Sequence, residues 1–288
     1  MIDVNYKKMF LGFDLSTQQL KCVSLDPDSY SEHESYSIHV QSKDIVTTPT
    51  IAWVTALDAL LLKLSKTVPL SQVKAISGCG QQHGSVYWKQ NTSKVLQHLD
   101  PSISLKDQLS DCFSILESPI WMDSSTKVEC QVLEEVAGDA ETLAKWTGSA
   151  AFERFTGSQI LKISKLYPEA YQETERISLV SSFLASLFLQ KYAQLDTSDA
   201  SGMNLLNIKD KKFIPELLDA CGPQLLQKLG SPIESCVLGK IGSYFVHRYG
   251  FSPDCVITTF TGDNPSSLSS LNMDTNDLMM YDASLSII

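Results

Sequence analysis

The sequence lacks the features that mark secreted, zinc-binding and membrane-spanning proteins. Its seven cysteines are scattered, odd in number and without a C-x-x-C pair, which favours reduced cytosolic thiols over a disulfide framework or a structural metal site. The N-terminus has no apolar signal segment, and the most apolar run, residues 177–189, is shorter than the ~20 residues of a membrane helix. We therefore expect a soluble, cytoplasmic protein.

Basic patches and the common nucleotide or hydrolase motifs are also absent. The formal net charge is −10 and no Lys/Arg run occurs, which argues against nucleic acid or an anionic membrane as a partner. No H-E-x-x-H, G-x-S-x-G, G-x-x-x-x-G-K-S/T or G-x-G-x-x-G string occurs, so zincin, α/β-hydrolase, P-loop and Rossmann cofactor sites lose their usual support. The 288 residues suffice for one large domain or two ordinary ones.

Short β-type runs alternate with amphipathic stretches. Residues 9–13 and 20–25 predict a hairpin, and apolar residues between Trp53 and Leu64 recur at helical spacing. Residues 26–48 predict a loop with one further strand. The other predicted strands are 73–77 and 255–260, and the other predicted helices are 124–137 (ending at Gly138), 158–166, 180–188, 215–229 and 241–249. This alternation indicates an α/β or α+β domain.

Two acidic loops follow the most clearly predicted strands. The first contains Asp14, Ser16, Thr17 and Gln18, and such a loop offers a carboxylate to Mg²⁺ and donors to a phosphate. A plain hairpin turn, whose Asp and Ser bond their own backbone, explains the same residues and is the favoured interpretation from spacing alone.

The second acidic loop runs from Thr261 to Ser267. Asn264 is suited to a helix N-cap and Pro265 to the first helical position, which predicts Asp263 at a helix N-terminus. An ionised Asp there can accept a proton from a substrate hydroxyl, as phosphoryl transfer requires, and a strand-to-helix turn is an equal alternative. Two such loops make a shared cleft more plausible than either alone.

Three further polar positions have both functional and structural interpretations. His83 lies in a glycine-flanked loop after a strand, although a lone His is more often structural. Arg154, between aromatic residues, either anchors a ligand hydroxyl or pairs with Glu153. The loop 198–202 is explained by capping as well as by a site.

Taken in order, these loops resemble the FGGY family of carbohydrate kinases, and within it the eukaryotic xylulose kinases. The resemblance covers about residues 9 to 272 and rests on seven strings, at residues 12–21, 80–88, 121–126, 152–157, 177–183, 198–205 and 261–265. One string is weak, whereas seven in the family's order are specific.

The resemblance implies an actin/ribonuclease-H-like α/β fold, with a mixed sheet flanked by helices, and ATP-dependent phosphorylation of D-xylulose to D-xylulose 5-phosphate. Asp263 would be the base that takes the proton from the sugar's O5 hydroxyl. The sugar would be held by His83, Arg154, Asp263 and Asn264. The ATP phosphates and Mg²⁺ would be placed by Asp14, Ser16, Thr17 and Gln18.

The resemblance also implies a domain division. Residues 1–272 correspond to the family's N-terminal sugar-binding domain. Residues 273–288 form an atypical tail where the ATP-binding domain would begin, so we expect a truncated chain. Three hypotheses stay open: a xylulose kinase active only in a complete form, a sugar-binding module without turnover, and a kinase for another ketose or polyol. The sequence does not predict the oligomeric state.

Overall fold

The structure is a computed structural model that describes residues 8–17, 19–26, 29–37 and 45–271. Its strands are β1 (Met9–Leu15), β2 (Gln19–Asp26), β3 (Ser29–Ser37), β4 (Thr47–Pro49), β5 (Val73–Gly80), β6 (Ser85–Lys89), β7 (Glu117–Pro119), β8 (Thr174–Leu179), β9 (Leu206–Asn207), β10 (Lys212–Phe213), β11 (Val237–Lys240), β12 (Val256–Thr258) and β13 (Thr261–Gly262). Its helices are α1 (Thr50–Thr67), α2 (Thr92–Gln97), α3 (Leu105–Leu109), α4 (Lys127–Ala137), α5 (Ala140–Thr147), α6 (Thr156–Leu166), α7 (Pro168–Gln172), α8 (Val180–Leu189), α9 (Thr197–Ser201), α10 (Pro215–Cys221), α11 (Leu225–Leu229), α12 (Ser243–Tyr249) and α13 (Asp263–Ser269).

A mixed sheet forms the first layer, in the order β11-β12-β5-β1-β2-β3, with β13 also paired to β5. Strands β1, β5, β12 and β13 run parallel across the centre, whereas β2 and β3 follow β1 as antiparallel hairpins. The predicted hairpin is confirmed. Over residues 26–48, where a loop with one further strand was expected, the structure has β3, which pairs with β2, and the start of β4, which pairs with β7.

Helix α8 covers the centre of this sheet and fixes where the strands end. All ten of its residues are buried, and Phe188 packs against rings from β1 and α12 at 5.0 and 5.1 Å. The N-terminus of α8 approaches the end of β5 closely, since a Cβ added at Gly80 would lie 2.6 Å from the Ser181 nitrogen. Glycine is therefore required where β5 ends beside α8.

The predicted α1 stripe is also confirmed as part of this core. Trp53, Leu57, Leu60, Leu61 and Leu64 are all buried. A second hydrophobic cluster lies among α4 to α7, α10 and α11, against β8, with Leu133, Leu143, Leu161, Ile177 and Leu217 at its centre. The chain thus packs two adjacent cores, one on the sheet and one among helices.

Several predicted boundaries shift for local reasons. The predicted helix 215–229 divides into α10 and α11, because Gly222 has a φ of +153° and Pro223 follows it. The strand expected over 255–260 is shorter in the structure, where β12 covers Val256–Thr258, and a second short strand, β13, follows at Thr261–Gly262. Helix α4 begins at Lys127 and ends before Gly138, whose φ of +103° fits the predicted C-terminal stop.

Candidate active site

Three parallel strands end at one edge of the sheet. Asp14 of β1 is in register with Cys79 of β5, and Thr261 of β13 pairs with the same cysteine. Asp263 follows β13 directly, so the two acidic loops lie on either side of the end of β5. The negative charge of Asp14 contributes to a raised pKa of Asp263, after burial, which is the larger cause. The structure therefore places both predicted carboxylates together.

Backbone amides hold the Asp263 carboxylate. Its Oδ1 accepts hydrogen bonds from the Gln82 nitrogen at 3.1 Å and from the Asn264 nitrogen at 2.9 Å. These bonds lower the pKa of Asp263, but burial and the Asp14 charge raise it more, and the net shift is upward. Among the described residues, none forms a hydrogen bond with Oδ2 of Asp263, so this oxygen can accept a hydrogen bond from a further donor.

The predicted helix start is wrong by two residues. Helix α13 begins at Asp263 itself, Gly262 takes the N-cap position, and Asn264 and Pro265 are the second and third helical residues. Proline fits anywhere in the first turn, because those amides have no partner within the helix. The carboxylate of Asp263 is favoured at the first position by the helix dipole and by the Asn264 amide.

The Asp14 loop is a closed turn whose side chains face the same edge. The Ser16 amide donates to the Gln19 carbonyl at 3.0 Å, which closes the hairpin. The Ser16 hydroxyl donates to Asp14 Oδ2 at 2.7 Å, and the Cys79 thiol donates to Asp14 Oδ1 at 3.5 Å. Gln18 lies outside the described residues.

A tryptophan connects this loop to the predicted arginine. Trp121 Nε1 donates to Thr17 Oγ1 at 2.5 Å, and the guanidinium of Arg154 lies over the Trp121 ring at 5.8 Å. Arg154 also lies 4.6 Å from the ring centroid of Phe152. No ion pair with Glu153 occurs in the described part of the chain, so the structure favours the aromatic setting of this arginine.

His83 is held as a neutral imidazole. Its backbone is left-handed, with φ +70°, and its ring packs 4.9 Å from that of Phe155. Burial lowers the pKa of His83 to about 4, the Gly202 hydrogen bond opposes this, and the positive charge of Arg154 adds to it. Nδ1 lies 3.1 Å from the Gly202 carbonyl oxygen. A carbonyl only accepts, so Nδ1 carries the proton and Nε2 is an acceptor.

All described site residues of the prediction belong to one connected group. Asp14 and Asp263 flank β5, the Gln82 amide joins Asp263 to the loop of His83, and Trp121 joins Thr17 to Arg154. The sequence prediction missed the Gln82 amide and the Cys79 thiol. A backbone donor has no residue-type signal in a sequence. The role of Cys79 depends on the strand register that pairs it with Asp14, which only the structure shows.

The oxygen donors of the Asp14 loop fit Mg²⁺. This ion usually takes one or two carboxylates together with phosphates and water, and Asp14, Ser16 and Thr17 offer a carboxylate and two hydroxyls. Across the described ranges no three His, Cys, Asp or Glu residues gather in a metal-binding arrangement.

In the same ranges, no helix has the length and apolar character needed to cross a membrane.

Comparison with known proteins identifies the family. Residues 9–269 match the model of the FGGY family of carbohydrate kinases, N-terminal domain. The chain belongs to the FGGY family. The resemblance seen in the seven strings is thereby confirmed.

Relatives within the FGGY family are similar over nearly all of this chain. The xylulose kinase of Rattus norvegicus is 48% identical over 289 residues, which cover 94% of this chain and 54% of that protein. Xylulose kinase 2 of Arabidopsis thaliana is 44% identical over 285 residues, with coverage of 93% and 51%. The chain spans about half the length of the curated relatives it matches.

Solved FGGY structures have the same fold. The xylulose kinase from Rhodospirillum rubrum aligns with a TM-score of 0.76 at 13% identity, over 93% of this chain and 51% of that one. A ligand-bound xylulose kinase from Lactobacillus acidophilus aligns with a TM-score of 0.74 at 19% identity, over 90% and 49%. At these identities the likeness shows the fold alone. It confirms the predicted actin/ribonuclease-H-like α/β class, with a mixed sheet flanked by helices.

Proposed function

We propose that the protein to which this chain belongs transfers a phosphoryl group from ATP to D-xylulose, giving D-xylulose 5-phosphate. The observation that carries the proposal is the meeting of Asp14 and Asp263 at the end of β5, with the His83 loop attached through the Gln82 amide. The substrate is taken from the names of relatives at 44 to 48% identity. A cytoplasmic location stays a prediction from the sequence.

In this proposal Asp263 is the general base. Its Oδ1 is fixed by two amides, so Oδ2 would face the sugar's O5 hydroxyl and take its proton during transfer. The raised pKa of Asp263 brings this carboxylate closer to the pH at which it works, and a base of higher pKa accepts a proton more readily. Positioning then supplies most of the catalysis.

His83, Arg154 and Asn264 would hold the sugar with Asp263. The neutral His83 ring presents Nε2 as an acceptor for a sugar hydroxyl. Arg154 brings donors only, held by stacking on two aromatic rings, and it would bind hydroxyl oxygens. Such a set orients a polyhydroxylated ligand by pairing acceptors with donors.

Asp14, Ser16, Thr17 and Gln18 would form the phosphate side, with ATP and Mg²⁺ as cofactors. When bound, Mg²⁺ neutralises phosphate charge. Asp14 would hold the ion through its carboxylate, and the loop hydroxyls would donate to phosphate oxygens. Trp121 would keep Thr17 in place through its indole N–H.

A second candidate function is sugar binding without turnover by this chain. It is favoured by the presence of all four proposed sugar contacts within residues 83–264, whereas the chain spans about half of its relatives. We propose residues 1–272 as the sugar-binding domain. Residues 273–288 lie outside the described ranges.

Titration calorimetry of the 288-residue chain tests both functions. D-xylulose is titrated first, then ATP with Mg²⁺, and ADP release is followed in a coupled assay with a panel of D-xylulose, other ketoses and glycerol. Xylulose-dependent ADP release supports the kinase, and binding without release supports the second candidate. A chain that binds none of the sugars refutes the second candidate, and preference for another sugar overturns the substrate.

Variants test the residue roles in a protein that shows turnover. Asp263→Ala should abolish phosphorylation and leave the far-ultraviolet circular dichroism spectrum unchanged, because the carboxylate is the proton acceptor. Turnover near that of the wild type would remove Asp263 as the base. His83 and Arg154 variants should raise the sugar KM, and an unchanged KM would make both residues structural.

A further inference from the structure

One turn of helix, α9, touches the strand β13, which leads into the candidate base Asp263. Asp196 caps helix α9, its Oδ2 accepting from the Asp199 nitrogen at 3.1 Å. The same Oδ2 accepts from the Thr261 hydroxyl at 2.7 Å. Thr261 lies on β13, two residues before Asp263. Helix α9 is therefore hydrogen-bonded to the segment that leads into the candidate base.

Asp199, on the same turn, supports the next residue of that segment. Its side chain is 2% exposed, and its Oδ2 accepts from the Ser181 hydroxyl at 2.5 Å. Its Oδ1 has no hydrogen-bond partner among the described residues and faces Gly262, where an added Cβ would lie only 2.8 Å away. Gly262 therefore lies directly on the carboxylate of Asp199.

The end of α9 also touches the other side of the site. The carbonyl of Gly202 accepts from His83 Nδ1. The side chain of Gln82 packs between two glycines, since added Cβ atoms at Gly202 and Gly262 would lie 2.6 and 3.3 Å from its amide group. The Gln82 nitrogen donates to Asp263. Residues 196–202 thus contact two of the three segments that supply the proposed sugar contacts, those of His83 and of Asp263.

Burial of a carboxylate at this place needs a reason beyond stability. A buried acid is costly, and the like charges of Asp196 and Asp263 add to the cost. Capping does not explain it, because Asp196, not Asp199, caps α9, and Asp139 caps α5 from an exposed position, at 2.6 Å from the Thr142 nitrogen. The contacts that distinguish Asp196 and Asp199 are those to residues 261 and 262.

We propose that Asp199, together with Asp196, is a positioning residue that sets the place of the Asp263 carboxylate through Gly262 and Thr261. The inference rests on the proposed sugar site but assigns it a support that is not itself a sugar contact. Loss of this support should let the Thr261–Gly262 strand move away from β5, which would weaken the Gln82 amide bond to Asp263.

The test compares variants of the positioning pair with a matched cap variant. Asp199→Ala and Asp196→Ala remove the contacts, Thr261→Val removes the hydroxyl, and Asp139→Ala removes a cap elsewhere. Conservative variants Asp199→Asn and Thr261→Ser keep the shape and the hydroxyl and should restore wild-type behaviour. Amide hydrogen exchange of the unliganded chain is followed at residues 80–84 and 260–265, and D-xylulose binding is followed by calorimetry.

We expect about tenfold faster exchange of the Gln82 and Asn264 amides in the alanine and valine variants, the effect of one lost buried hydrogen bond. We also expect about a tenfold higher Kd for D-xylulose. Asp139→Ala should change neither quantity, even where it lowers the thermal midpoint as much. Unchanged exchange at both amides in Asp199→Ala and Thr261→Val would overturn the proposal, as would equal changes in Asp139→Ala.

The two arms separate this inference from the proposed function. If the wild-type chain binds no D-xylulose, the proposed function fails, and amide exchange still decides whether α9 positions Asp263. If Asp199→Ala does not fold, Thr261→Val and its serine counterpart decide the same question, because they alter a part-buried hydroxyl contact to Asp196 and leave the buried Asp199 in place. Exchange that responds to Asp139→Ala as strongly would assign these residues to general stability.

Discussion

The neutral state of His83 makes a specific prediction about stability and pH. Burial lowers the pKa of this imidazole from 6.5 to about 4, with the Arg154 charge adding to the effect. Between these two values the unfolded chain binds a proton that the folded chain does not, so folding stability falls as the pH falls. Above pH 7 neither state is protonated at His83, and the contribution is constant.

The magnitude follows from the two pKa values. Relative to pH 7.5, His83 should reduce the free energy of unfolding by about 1 kcal/mol at pH 5.5 and by about 2 to 3 kcal/mol at pH 4.5. His83→Asn removes this titration while keeping a residue that tolerates the observed φ of +70°. Urea unfolding of both proteins across this range gives the difference directly, and titrations common to both proteins, such as that of Asp199, cancel.

His98 supplies the matched control. It also places Nδ1 on a backbone carbonyl, that of Lys94 at 2.8 Å, but its side chain is exposed, so it shares the hydrogen bond of His83 and not its burial. A constant offset between wild type and His83→Asn is compatible with the reasoning. A difference that stays level from pH 7.5 to 4.5 would refute it, because His83 would then titrate alike in the folded and unfolded chains.

Three further changes test the site and the backbone. Gly262→Ala should weaken D-xylulose binding about tenfold in calorimetry, because its Cβ would lie 2.8 Å from Asp199 Oδ1, and unchanged affinity would contradict that packing. Burial raises the pKa of Asp199 to about 7, so the stability of the wild type should fall as the pH rises from about 4 to 7. Asp199→Asn should abolish this fall, and an unchanged slope in urea unfolding would refute the reasoning. Gly250→Ala should lower the free energy of unfolding by about 1 to 2 kcal/mol, because φ at Gly250 is +79°. Gly12→Ala should cause no such loss, because Gly12 has open space and no positive φ, and equal losses in the two variants would contradict the backbone argument.

The parts of the fold that could be predicted are those with a strong local pattern. The α1 stripe from Trp53 to Leu64 was predicted because burial on one face of a helix leaves a periodic apolar run, and β5 was predicted from its apolar residues, of which Val73 and Ile76 are buried. A shared cleft for Asp14 and Asp263 was predicted because both lie in acidic loops that follow predicted strands. Polar residues that directly follow buried strands lie at a sheet edge, and parallel strands bring their ends together.

The parts that could not be predicted depend on contacts between distant segments. The start of α13 was misplaced because the residues from Gly262 to Pro265 fit several capping arrangements, and only the Gln82 amide, 181 residues away, selects among them. The support of Thr261 by Asp196 likewise joins residues 65 apart. Neither contact has a residue-type signature, since any residue supplies an amide and many supply a hydroxyl.

The Asp14 loop shows why a turn and a site were not true alternatives. The Ser16 amide closes the hairpin on the Gln19 carbonyl, so the turn interpretation is correct for the backbone. The Asp14 carboxylate nevertheless faces a neighbouring strand end, where a second carboxylate, that of Asp263, has its pKa raised partly by the Asp14 charge. A hairpin that only needed to turn would be more stable without this repulsion. The proposed function accounts for the pairing of two acids across β5, because a cation held between phosphate and carboxylate would make such a pairing favourable.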